Sequence, residues 1–100
     1  MPAFGIDAAS VALGEFLPGD TVPAEALKAP IKCAFSAPEE LTELRLWGGD
    51  KILSSEILPP GTTSLERSIE ISQYDAPYFH LELRGKNGHL ISNPFFVEKK

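Results

Sequence analysis

Apolar and polar residues alternate along much of this chain, most clearly over residues 78–97, YFHLELRGKNGHLISNPFFV. Phe79, Leu81 and Leu83 share one parity while Tyr78, His80, Glu82 and Arg84 share the other, which predicts a half-buried strand with one apolar face. Asn87-Gly88 is the dipeptide of a type I′ turn with two positive φ angles, so residues 90–97 are expected to return as the partner strand. Residues 31–35 alternate in the same way, with Ile31, Cys33 and Phe35 against Lys32 and Ala34, and Ser36-Ala37-Pro38 ends the run. In residues 41–47, Leu44 and Leu46 oppose Glu43, Arg45 and Trp47; Gly48-Gly49-Asp50 then turns the chain into residues 51–58, a second hairpin.

Pro59-Pro60-Gly61 interrupts any ladder, because two prolines supply no backbone donor. Beyond it, residues 63–72 put Leu65, Ile69 and Ile71 on one parity. The strict alternation of Ser68-Ile69-Glu70-Ile71-Ser72 favours a strand over the helix that Glu and Arg would otherwise suit. Arg67 falls on the apolar parity, which predicts an edge position or the outer half of the strand. Residues 1–29 read as irregular. Val11, Leu13, Phe16 and Leu17 suit a short strand or a packed loop, Leu17-Pro18-Gly19-Asp20 is turn chemistry, and residues 23–28 suit one helical turn that Pro30 would stop. With six strands after residue 30 and a seventh before it, punctuated by Gly and Pro, the expected fold is all-β. It is an immunoglobulin-like antiparallel β-sandwich of about seven strands in a single domain.

Composition changes this picture little. One hundred residues suffice for one core, and the single cysteine, Cys33, excludes an internal disulfide and reads as a buried, inert thiol between Ile31 and Phe35. Nine basic against fourteen acidic residues give a net charge of −5. Phosphate backbones need clustered Lys and Arg, and the only adjacent basic pair is Lys99-Lys100, so a nucleic-acid partner is not expected. Nor is a membrane span or a signal peptide, since no apolar run is long enough; the cellular compartment stays open.

Candidate chemistry is sparse. His80 and His89 are the only histidines, fewer than a metal site of at least three His, Asp, Glu or Cys ligands would lead one to look for, and both are expected on the surface. Glu39, Glu40 and Glu82 read as solvated charges without a paired nucleophile or acid. The serines lack a nucleophile elbow, and no glycine-rich phosphate loop precedes a helix. No catalytic residue and no cofactor are therefore expected. Trp47 has two readings: a core ring folded over the end of the sandwich, which is favoured, or an exposed indole that anchors a sugar or a protein partner. In the second reading Tyr78, His80 and Phe96 are further contact residues, with Tyr74 also available to extend the patch. Ser92-Asn93-Pro94 has a structural reading of its own, as a place where the last strand bends or changes sheet.

The closing segment carries a resemblance. Its alternating strand, glycine turn and Ser92-Asn93-Pro94-Phe95-Phe96-Val97 run resemble the C-terminal β-sandwich that follows the catalytic domain of bacterial PHP-type (polymerase and histidinol phosphatase) metal-dependent phosphoesterases. Val11-Ala12-Leu13-Gly14 with Gly19-Asp20 is similar to the opening segment of those sandwiches, and Leu44-Arg45-Leu46-Trp47-Gly48-Gly49 to a strand that there ends in Asn-Gly. The chain departs from them at Ile91, where they often carry Trp, and at Gly48-Gly49. The resemblance implies a non-catalytic accessory domain, excised from a longer polypeptide, whose partner is the catalytic domain of that polypeptide. The metal ligands belong to that other domain, and the isolated chain is expected to be a monomer. The other readings are a free-standing carbohydrate- or protein-binding module and an immunoglobulin-like spacer of a surface protein.

Overall fold

The computed structural model describes residues 6–98 and is a two-sheet β-sandwich. The smaller sheet is antiparallel and contains β1 (Ala8–Leu13), β3 (Ile31–Ser36) and β6 (Ser64–Ile69), in the order β1-β3-β6. The larger contains β2 (Thr21–Val22), β4 (Leu41–Gly48), β5 (Lys51–Ile57), β7 (Tyr78–Gly85), β8 (Gly88–Ile91) and β9 (Phe95–Val97). Its order is β2-β9-β7-β4-β5, with β8 also paired to β7. The one parallel pairing among the described strands is β2 with β9.

Among the described residues there are nine strands where about seven were expected, for two reasons. The opening segment, expected to hold at most one strand, supplies two: β1 in the smaller sheet and the two-residue β2 in the larger. The return strand expected over residues 90–97 is split. Glu82 faces Ile91 and Phe79 faces Phe95, so three steps along β7 are matched by four along its partner, and the extra residue makes a bulge at Ser92-Asn93-Pro94. Pro94 has no N–H for the ladder, while the Ser92 hydroxyl accepts from Leu81 N at 3.0 Å. The trio bends the strand without moving it to the other sheet.

Other expectations are corrected in detail. The loop of the last hairpin is Lys86-Asn87, between the paired Gly85 and Gly88, and neither loop residue has a positive φ, so the turn is not type I′. Asn87 instead donates its side-chain amide to Glu39 at 2.7 Å. The strand expected over residues 63–72 stops at Ile69; Ile71 lies in the following turn and is fully buried there. The turns at Leu17–Asp20 and Pro59–Thr62 form with Pro and then a positive-φ glycine in the middle, closed by Asp20 N to Leu17 O at 3.0 Å and Thr62 N to Pro59 O at 3.3 Å. Pro23 leads into a 3-10 turn, Ala24–Lys28, as its sequence predicts.

Alternation fills the core. Ile31, Cys33 and Phe35 from β3 meet Leu44 and Leu46 from β4, Phe79, Leu81 and Leu83 from β7 and Phe95 from β9. A bulge at Thr42 lets Leu41 join them although it lies three residues from Leu44. Gly48 is closely covered, since a Cβ there would collide with the Leu53 side chain. Burial pushes the Cys33 thiol up to about 11, more strongly than the neighbouring Arg67 lowers it. Arg67 does sit on an edge strand, where it bridges the open side of the sandwich to Glu56 of β5 at 2.7 Å.

Candidate functional site

The outer face of the larger sheet carries the side chains with chemistry. On β4 the outward parity is Glu43, Arg45 and Trp47; on β7 it is Tyr78, His80, Glu82 and Arg84. Register sets Trp47 opposite His80, Arg45 opposite Glu82, and Tyr78 opposite Phe96 of β9. Trp47, His80, Tyr78 and Phe96, separate in sequence, thus become one row. Trp47 and His80 stack with centroids 5.8 Å apart and planes within 7°, His80 and Tyr78 stack at 6.2 Å and 18°, and Phe96 tilts against Tyr78 at 6.2 Å and 56°. Trp47 is half-buried here and is not the core ring expected at the end of the sandwich. Tyr74 is not in the row; it packs against the core with its hydroxyl 3.5 Å from Leu53 O.

Apolar side chains extend the row. Ile52 pairs with Trp47, Ile57 with Glu43 and Ile91 with Glu82, so all three point outward. Ile52 and Ile57, five residues apart, share this face because β5 takes an extra residue at Leu53. With Phe96 they are four of the five large exposed hydrophobics among the described residues, and Ile57 is 75% exposed. The fifth, Leu17, lies on the turn that leads into β2.

Beside the row sits a carboxylate that sequence reasoning treated as solvated. Glu82 is 4% exposed. Its Oε1 accepts from Trp47 Nε1 at 2.9 Å and lies 3.6 Å from Arg45; its Oε2 accepts from Arg84 at 2.9 Å, with His89 Nδ1 at 3.8 Å. Burial alone would raise its pKa, but the hydrogen bonds from Trp47 and Arg84 and the charges of Arg45 and Arg84 outweigh it and hold the carboxyl below its ordinary range. The sequence signal was available: an acid at the centre of a central strand, two residues from Arg84. His80 is held below its ordinary value by burial, which the Glu82 charge only partly offsets; His89 is exposed.

Each oxygen of Glu82 accepts one hydrogen bond within the protein, so the group orients the indole and the Arg84 guanidinium, while Arg45 is held chiefly by Glu43. Among the described residues no group of three His, Cys, Asp or Glu is placed to hold a metal ion. Ser92, Asn93 and Pro94 shape the β8–β9 bulge, and Asn87 and Gly88 the hairpin tip, away from the aromatic row. What the face offers is an aromatic and aliphatic surface beside a fixed polar cluster of Glu82, Arg45 and Arg84. No protein-family model, no curated protein and no solved structure matches the chain significantly.

Proposed function

We propose that the chain is a non-catalytic accessory β-sandwich that docks on a larger catalytic domain through the outer face of its larger sheet. The observation that carries this reading is the unbroken row Ile52, Trp47, His80, Tyr78 and Phe96 on one face, with Ile91 opposite Glu82 and Ile57 farther along β5 opposite Glu43. Scattered exposed hydrophobics need no explanation, whereas a contiguous group marks a contact surface. The resemblance of the closing motif to the sandwiches of PHP-type phosphoesterases supplies the partner: a metal-dependent phosphoesterase-like domain of the same polypeptide, which would hold the metal ligands and the reaction.

The strand order supports reading the sandwich as immunoglobulin-like. The smaller sheet joins the first, third and sixth strands, and the larger joins the hairpin β4-β5 to β7 and the closing strands, with β2 crossing over to pair parallel with β9. A free-standing sugar-binding module is the second reading, favoured by the aromatic row. It is weaker because Trp47 and His80 stack on one another within 7°, so the indole face a sugar would use is covered on that side.

The test uses a reporter on the face. Ile57→Cys places an exposed thiol there while the buried Cys33 stays silent. In the native polypeptide, identified by immunoblot with an antibody raised against this chain, maleimide labelling of that thiol is expected to be at least ten times slower than in the isolated chain. Equal rates, or a native polypeptide no larger than this chain, would overturn the reading.

A further inference from the structure

The aromatic row ends in a cleft. It has a volume of about 570 Å³ and is lined by Pro77, Tyr78, Phe96 and Val97, with the carboxylate residues Asp75 and Glu98 on its walls. Tyr78 and Phe96 make a corner of two rings inclined at 56° with centroids 6.2 Å apart. The walls are tied together by a backbone bond from Val97 N to Pro77 O at 2.9 Å, and Glu98 N is fixed to β2 by Val22 O at 2.8 Å. Asp75 and Glu98 form no ion pair with any other described residue.

An aromatic corner with two acidic residues in its lining is the chemistry that recognises an organic cation. Ring faces attract a cation through their quadrupole, and nearby carboxylates add charge. A guanidinium fits better than an ammonium: it is planar, stacks on rings, holds its water loosely and presents N–H donors along both edges, so that one group can lie on a ring and reach two carboxylates. The chain as a whole, at net −5, also favours a basic partner surface.

We infer that the cleft bounded by Tyr78, Phe96, Asp75 and Glu98 is a receptor for an arginine side chain presented by the docked partner. The inference rests on the docking reading for the source of the arginine; the cleft is testable without it. The guanidinium stacks in the ring corner and pairs with Asp75 on one side and Glu98 on the other, fixing the register of the apolar face beside it.

The experiment is a titration of the 100-residue chain with N-acetyl-arginine amide, followed by NMR at the Tyr78 and Phe96 ring protons and the Asp75 amide. N-acetyl-citrulline amide, the neutral isostere, is the control. A saturable shift at all three sites is expected with arginine, at least five times weaker binding with citrulline, and a several-fold loss with Asp75→Asn or Glu98→Gln, both of which replace surface groups. Tyr78→Leu is expected to abolish the ring-proton response at Phe96. Absence of saturable shifts, or citrulline binding as tightly as arginine, would overturn the inference. If the Ile57→Cys thiol is protected in the native polypeptide while arginine fails to bind, the docking reading stands and the arginine receptor falls.

Discussion

The two outer faces of this sandwich are built on the same pleat, yet they differ in almost every side chain. On the smaller sheet the outward positions are Ala8, Ser10 and Ala12 on β1, Lys32, Ala34 and Ser36 on β3, and Ser64, Glu66 and Ser68 on β6. Small and polar residues leave that surface low and well hydrated. On the larger sheet the equivalent positions carry an indole, a phenol, an imidazole, a phenyl ring, three isoleucines and a buried carboxylate. A sandwich needs only that its outer faces be wettable, and the Ala/Ser face shows how little that takes. This difference in composition is the physical basis for proposing the docking surface on the heavy face.

Substitution can break this contrast. The largest effect is expected at Glu82: Glu82→Ala leaves the Trp47 N–H and Arg84 without their shared acceptor, while Arg45 keeps its hydrogen bonds to Glu43. It should cost about 1.5 kcal/mol, the low end for losing hydrogen bonds to a charged group, because both guanidiniums keep access to water, read by urea unfolding. A Glu82→Ala protein as stable as the parent would mean that the outer face is as inert as its counterpart.

Acid offers a gentler version of the same test. The Glu82 carboxyl is held below its ordinary value of 4.5, so it binds fewer protons in the folded than in the unfolded chain. Its contribution is fully present above that ordinary value and is lost as pH falls through the depressed one. Unfolding midpoints measured from pH 6 downward should fall more steeply for the parent than for Glu82→Gln. Parallel profiles would remove Glu82 as the source of the difference. The smallest effect is expected on the other side, where Ser10→Ala or Ser68→Ala should change stability by no more than about 0.5 kcal/mol, and a larger loss in thermal unfolding would show that the plain face carries structure after all.

Sequence patterning reached some of this and missed the rest for identifiable reasons. The β4-β5 hairpin was legible because Gly49, at φ 62°, provides the reversal and the flanking residues alternate. Arg67 on an apolar parity correctly signalled an edge, since only there can a guanidinium leave the core side and meet Glu56. Ile71 was misread because alternation continues past the last ladder pair, and periodicity cannot tell a strand from a turn that buries the same residue. β1 was obscure because Ala-Ala-Ser-Val-Ala presents little contrast between its faces. Trp47, Tyr78, His80 and Phe96 could be named from sequence as aromatic candidates, but their alignment depends on the register of β4 on β7 and of β7 on β9, and register is a tertiary property. The polar shell of Glu82 was hidden for the same reason.

Cys33 turns the core into a clock. Its thiol is enclosed by the sandwich and its proton is held to about pH 11, so in the closed molecule alkylation is suppressed both by access and by ionisation. Each opening that exposes β3 restores an ordinary thiol for as long as the opening lasts. The rate at which a dilute alkylating reagent consumes Cys33 therefore counts those excursions in plain buffer, and the same vessel could report whether a bound partner makes them rarer.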